Sequence, residues 1–217
     1  KFQTASAVPE ASSMIETFRA IGYNIETAIA DIIDNSISAN ARNIWVNFEW
    51  KGSKTWLSIK DDGSGMNNEE LIQAMRPGSK NPLQERNEKD LGRFGLGLKT
   101  ASFSQARKLT VISKKADYKP IYWTWDLDFV NKTGKWNLIK YLPNEDLEKE
   151  ISEFTSGTIV LWNDIDRVVK DFSQDDNKAL DKFLLTMEQV KKHLAMVFHK
   201  FIEKAKINIF FQDKKIT

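Results

Sequence analysis

Asp31 and Asn35 stand four residues apart in "AIADIIDNSISANA", a spacing that brings two side chains to one face of a helix. A carboxylate and an amide oxygen so placed suit a hard cation shared with phosphate oxygens, the carboxylate orienting a water and the amide binding magnesium. The same pattern also describes a solvated helical stripe, and the pair alone leaves both readings open. Asp34 lies about 100 degrees round the helix from Asn35 and is less well placed to share its ligand.

Two further segments carry chemistry. In "DDGSGM", Asp61 to Met66, Gly63 and Gly65 permit tight backbone and close approach of a ligand, while an acid at a strand end can accept a hydrogen bond from an exocyclic amine. By itself this segment is also an ordinary turn. In "LGRFGLGLKTAS", Leu91 to Ser102, three glycines precede a helix, so free backbone N–H groups and the helix dipole can face an anion. Gly92 and Gly97 have the separation of a Walker loop, but Leu98 intervenes before Lys99 and Thr100. The glycine order also reverses the dinucleotide fingerprint, so neither of those loops fits.

The elements that must hold these residues are legible from pattern. Ser12 or Ser13 can cap a helix to about Ile21, and Asn24 one from Ile25 to about Ala39 with Ala28, Ile29, Ile32, Ile33 and Ser36 on its apolar face. Ile44 to Trp50 and Thr55 to Lys60 alternate as a hairpin. Asn67 or Asn68 caps a helix to about Met75, and a polar loop follows from Arg76 to Asp90, too long for an ordinary connector. A helix is expected over Phe94 to Ser104 and strands over Lys108 to Ser113, Ile121 to Leu127, Trp136 to Tyr141 and Thr158 to Trp162. A long helix from Leu180 to about Ala205 and a strand from Ile207 to Phe211 complete the chain. Hairpin-connected strands outnumber helices, which predicts an α+β, two-layer sandwich: a mixed, mainly antiparallel sheet with helices on one face.

Composition narrows the class. A chain of 217 residues, 41% hydrophobic, can bury one main core plus an appendage. With no cysteine, disulfides and thiolate metal sites are excluded, and the cytoplasm is the expected compartment. The apolar runs fall short of the roughly 20 residues that cross a bilayer, and a start at Lys1 rather than Met suggests a trimmed chain. A net charge of +2 does not by itself point to nucleic acid. The alternation in "YWTW", Tyr122 to Trp125, offers a base-stacking platform or a packed strand face, and packing is the simpler reading.

The segments "AIADIIDNSISANA", "DDGSGM", "GRFGLGLKTAS" and "TSGTIVLW", in this order, resemble the N, G1, G2 and G3 boxes of the GHKL ATPases: gyrase-type topoisomerases, heat-shock chaperones, histidine kinases and MutL-type repair proteins. The phrasing is closest to MutL and MORC proteins and bacterial MORC-like relatives, and it covers roughly Ser12 to Asp164. The resemblance implies the Bergerat fold, with ATP and Mg2+ as cofactors and a mobile lid. Asn35 would bind magnesium, with Ser36 and Ala39 beside it in the nucleotide site. Asp61 would read the adenine amino group, with Gly63, Gly65 and Met66 shaping that pocket and Thr158 near the base. Gly92, Arg93, Phe94, Gly95, Leu96, Gly97, Leu98 and Lys99 would wrap the phosphates, and the lid, about 76–91, would bring Ser79 and Lys80. Asp31, with Lys99, would be catalytic, but it is an aspartate where the family usually has glutamate, one methylene shorter, so slow turnover is expected.

The resemblance further implies an ATP-linked homodimer, with Lys1 to Ser13 as an exchange arm. It divides the chain into an ATP-binding domain, 1–175, and the lead-in to a transducer domain, 176–217. DNA repair, compaction or defence is the expected setting, with DNA contacts outside this fragment. Two alternatives stay open. A histidine kinase shares the fold but needs a phosphoacceptor helix ahead of it, whereas His193 and His199 both lie downstream. A module that binds nucleotide without hydrolysing it is the other.

Overall fold

Residues 2–5, 8–78, 97–169 and 172–217 are described by a computed structural model. The described elements begin with helices α1 (Ala11–Ala20) and α2 (Ile25–Ser38), strands β1 (Asn43–Glu49) and β2 (Trp56–Asp61), and helix α3 (Asn68–Met75). Helix α4 (Gly97–Gln105), strands β3 (Lys108–Lys114) and β4 (Ile121–Asp126), helices α5 (Leu127–Thr133) and α6 (Asp146–Ser152) and strand β5 (Gly157–Asn163) follow. Helix α7 (Asn177–Glu203) and strands β6 (Asn208–Phe211) and β7 (Lys214–Lys215) end the chain.

The strands form one seven-stranded sheet in the order β4-β3-β5-β2-β1-β6-β7. Every pairing is antiparallel except β1 with β6, where the crossover through α7 returns the chain parallel. The expected α+β sandwich with a mixed sheet is therefore what the chain adopts. Period-two alternation sets the layers: Ile44 and Val46 on β1, Leu57 and Ile59 on β2, Val160 and Trp162 on β5 face the main core with the apolar sides of α1, α2, α4 and α7. Trp162 is fully buried and its indole N–H donates to Ser102 Oγ (2.8 Å), tying β5, an interior strand, to α4. A small second core of Ile112, Ile151 and Ile159 sits on the opposite face under α6, so that face is partly covered too.

Local rules explain most boundaries. Asn24 caps α2 by accepting from Thr27 N–H (2.8 Å), and Asn67 and Glu70 form a reciprocal capping box on α3. Helix α7 buries Phe183, Met187, Val190, Leu194 and Phe198 at helical spacing behind an Asp176 cap.

Three expectations need correction. Helix α1 starts at Ala11 behind Glu10, and the hydroxyls of Ser12 and Ser13 point back to the Glu10 carboxylate (3.3 Å each) rather than capping the helix. The anticipated strand over Trp136 to Tyr141 is a single bridge, Thr124 to Ile139, because Trp136 turns its ring onto Phe18 and Trp125 instead of joining a ladder. Helices α5 and α6 were missed: each spans seven residues, too short for a clear 3.6-residue repeat. No helix among the described residues is long and apolar enough to cross a membrane.

Candidate functional site

The polar residues of α2 sort by depth. Ser36 is buried on the apolar face, Asp31 and Asp34 are half-buried, and Asn35 is exposed, with its amide open to a ligand. Ser36 Oγ donates to Asp61 Oδ2 (2.8 Å), fastening the helix to the end of β2. The other oxygen of Asp61 accepts from Gly63 N–H (2.9 Å). Burial pushes the Asp61 carboxyl from 3.8 to about 6, against the pull of the hydrogen bonds from Ser36, Gly63 and the Thr158 backbone and with some help from the neighbouring charge of Asp62. Asp34 also titrates near 6, raised by burial and then by Asp31.

Around Asp61 the adenine-side residues of the sequence reading come together. Antiparallel register sets Thr158 opposite Asp61, and Thr158 Oγ1 meets Ser113 Oγ at 2.9 Å. Ser113 Oγ also accepts from Met66 N–H (2.9 Å) and faces Gly157 O (3.2 Å). Gly63 lies so close to Ala39 that an added Cβ would sit 2.9 Å from the Ala39 Cβ. Gly65 has φ +62, and its Cβ would fall 1.8 Å from the Lys114 carbonyl oxygen, so only glycine fits. Asp62, by contrast, is consumed by structure: it accepts from Arg42 N–H, Asn43 N–H and the Asn43 amide.

The phosphate side is described from Gly97 onward. A Cβ at Gly97 would have Asp31 Oδ2 as its neighbour at 3.9 Å, so the start of α4 faces the α2 carboxylate. Leu98 is half-buried against the core. Lys99 is 2% exposed and its ammonium donates to Ala74 O (2.7 Å) in the last turn of α3. In this arrangement Lys99 thus addresses a helix C-terminus, where a cation is also stabilised by the dipole. Ser79, Lys80, Gly92, Arg93, Phe94, Gly95 and Leu96, and the lid beyond Gly78, lie outside the described residues.

Sequence reasoning overlooked three residues. Tyr23, just ahead of α2, has its phenol pKa raised by burial first and then by the neighbouring Asp31 carboxylate, with Thr100 pulling the other way. Gln105 Nε2 holds the Tyr23 carbonyl (2.9 Å) against α4. Ser113 was the most legible of the three, being a serine at a buried position in the alternation Leu109, Val111, Ser113. Among the described residues no group of three or more His, Cys, Asp or Glu gathers to hold a metal ion.

The profile of the histidine kinase-, DNA gyrase B- and HSP90-like ATPases matches residues 23–158, the stretch that contains all of this geometry. The chain belongs to this ATPase family. Among relatives, it is 34% identical over 89 residues to ATPase morc-1 of Caenorhabditis elegans, covering 41% of this chain and 10% of that protein. It is 27% identical over 187 residues to chaperone protein HtpG of Rickettsia canadensis (strain McKiel), 78% of this chain and 26% of the chaperone. It is also 28% identical over 137 residues to human structural maintenance of chromosomes flexible hinge domain-containing protein 1, covering 51% and 7%. The ATPase domain therefore spans about a quarter of one of these relatives and a tenth or less of the other two.

Proposed function

We propose that this ATPase domain binds Mg-ATP between α2, the end of β2 and the start of α4 and hydrolyses it slowly. The observation that carries the reading is Asp61: a carboxylate buried at a strand end, aimed by Ser36 and Gly63, with Thr158 and Met66 alongside. Such an oxygen accepts the exocyclic amine of adenine, and the glycines leave room for the ring. Asn35, exposed one turn from Asp31, would contribute an amide oxygen to magnesium whose other ligands are phosphate oxygens and water, a donor set this hard cation accepts. The ion would offset phosphate charge. Asp31 orients the attacking water and takes its proton, while Gly92, Arg93, Phe94, Gly95, Leu96, Gly97 and Leu98 wrap the phosphates. Lys99 reaches a phosphate by leaving the Ala74 carbonyl, and Ser79 and Lys80 complete the site when the lid closes.

Lid closure, ATP-linked homodimerisation and work on DNA in the cytoplasm belong to the same proposal. They are supported by family membership and by the chromosome-maintenance name of one relative. The division at 175/176 is carried forward with them. The shortness of Asp31 favours one second reading, a nucleotide-binding module without turnover. Phosphate release from ATP and magnesium, compared between the wild type and Asp31→Ala, decides between them. Release abolished in Asp31→Ala with nucleotide still bound supports the ATPase; binding with no release from the wild type supports the module.

A further inference from the structure

A cavity of about 900 Å³ opens beside α3, lined by Ile72 of that helix and Arg76 at its end but by neither Asp31 nor Asp61, a size in the range of small-molecule sites. None of Asp31, Asn35, Asp61, Lys99 or Thr158 lines it, although Arg76, Pro77 and Gly78 at the start of the proposed lid do. Its walls are aromatic: Phe18 from α1, Trp123 and Trp125 from β4, Phe129 from α5, and Trp136. Both β4 indole N–H groups are already engaged, Trp123 by Asn68 Oδ1 and Trp125 by Met75 O (3.0 Å each), so Trp123 offers a π-face rather than a donor and Trp125, 2% exposed, is the chamber's floor.

Among the described residues, Arg76 is the one charged side chain lining the cavity. It is exposed at the end of α3, and no acid among the described residues pairs with it. An apolar aromatic chamber with a single unpaired cation is complementary to an apolar body carrying one negative charge. We infer that this cavity is a binding site for a planar, apolar organic anion, its rings among Trp123, Trp125, Phe129 and Trp136 and its acidic group on Arg76. The last turn of α3 separates it from the nucleotide site: Ala74 O faces Lys99 on one side, and Met75 O accepts from Trp125 on the other. The inference does not rest on the nucleotide reading.

The probe is 1-anilinonaphthalene-8-sulfonate, with neutral N-phenyl-1-naphthylamine as its uncharged counterpart. The sulfonate binds the folded protein saturably, one per chain. Arg76→Gln, an exposed change, weakens it by roughly threefold, the effect of one surface charge pair, and leaves the neutral probe unchanged. Leu138→Trp, which fills the chamber, removes both. Circular dichroism and melting curves establish that each variant is folded. Non-saturable binding, equal affinity of sulfonate and neutral probe in wild type and Arg76→Gln, or full sulfonate binding to folded Leu138→Trp each overturns the inference. So does one-for-one displacement of the sulfonate by an ATP analogue, which would put the probe in the nucleotide site.

Discussion

The Ser36 hydroxyl donates to the Asp61 carboxylate across 2.8 Å, joining the middle of α2 to the end of β2. This bond aims one Asp61 oxygen while Gly63 N–H holds the other, so the acid that should read adenine is oriented before any ligand arrives. Asp61→Asn removes the charged acceptor and should weaken ATP by roughly 10- to 100-fold, the range for a hydrogen bond to a charged group. Its melting temperature should hold or rise, since a buried charge is removed. Calorimetric titration with a non-hydrolysable analogue checks the first, thermal melting the second; unchanged affinity would discredit the adenine assignment.

The raised pKa of Asp61 has opposite consequences for binding and for stability. The folded state holds this proton more tightly than the unfolded chain, whose carboxyl titrates near 3.8. Stability contributed by this group therefore grows as pH falls from about 6 towards 4, by at most about 3 kcal/mol. ATP affinity moves the other way, falling below pH 6 as the acceptor is protonated. Asp34 titrates in the same window but is kept in Asp61→Asn, so the difference between wild-type and Asp61→Asn melting curves isolates Asp61. A pH-independent difference would contradict this assignment.

Asp31→Glu restores the methylene that this chain lacks. If reach limits proton transfer, phosphate release should rise several-fold, within the roughly 100-fold or greater contribution of a well-placed base. Nucleotide affinity should stay within about twofold, because Asn35 and Asp61 are untouched. A fall in turnover would show that the site is built around the shorter acid.

Tyr23→Phe deletes the phenol hydroxyl that neighbours Asp31 and Thr100. Phosphate release should drop by about tenfold through loss of orientation of the carboxylate, with KM nearly constant. The stability cost should be no more than about 1 kcal/mol, the scale of one polar contact. A change in KM alone would assign Tyr23 to packing.

Gly65→Ala drives a methyl into the Lys114 carbonyl oxygen at a backbone position with φ +62. A loss of more than about 3 kcal/mol is expected in denaturant melts, because both the backbone conformation and the adjacent strand resist. Gly22→Ala is the control: no atom lies within 4 Å of its added Cβ, and stability should change by less than about 1 kcal/mol.

The order and chemistry of the site were written in the chain. Asp31 with Asn35, Asp61 with its two glycines, and the glycines before α4 are local patterns, and the hairpin of β1 and β2 and the period of α2 and α7 follow from side-chain alternation over short stretches. Such features depend on neighbours three or four residues away, and sequence displays those directly. Folding decided what lies between distant segments. Lys99 has the same sequence whether it meets a phosphate or the Ala74 carbonyl, and only the fold that brings Lys99 of α4 to the last turn of α3 selects the latter in this structure. Asp61 and Asp62 are equivalent acids by type, yet strand register buries one beside Ser36 and gives the other to Asn43. Tyr23 is fixed beside α4 by Gln105, whose side chain holds its carbonyl, and Trp136 turns out of the sheet onto Phe18 and Trp125. In each case the competing partners lie far apart along the chain, and their relative free energies exist only once the core has closed around them.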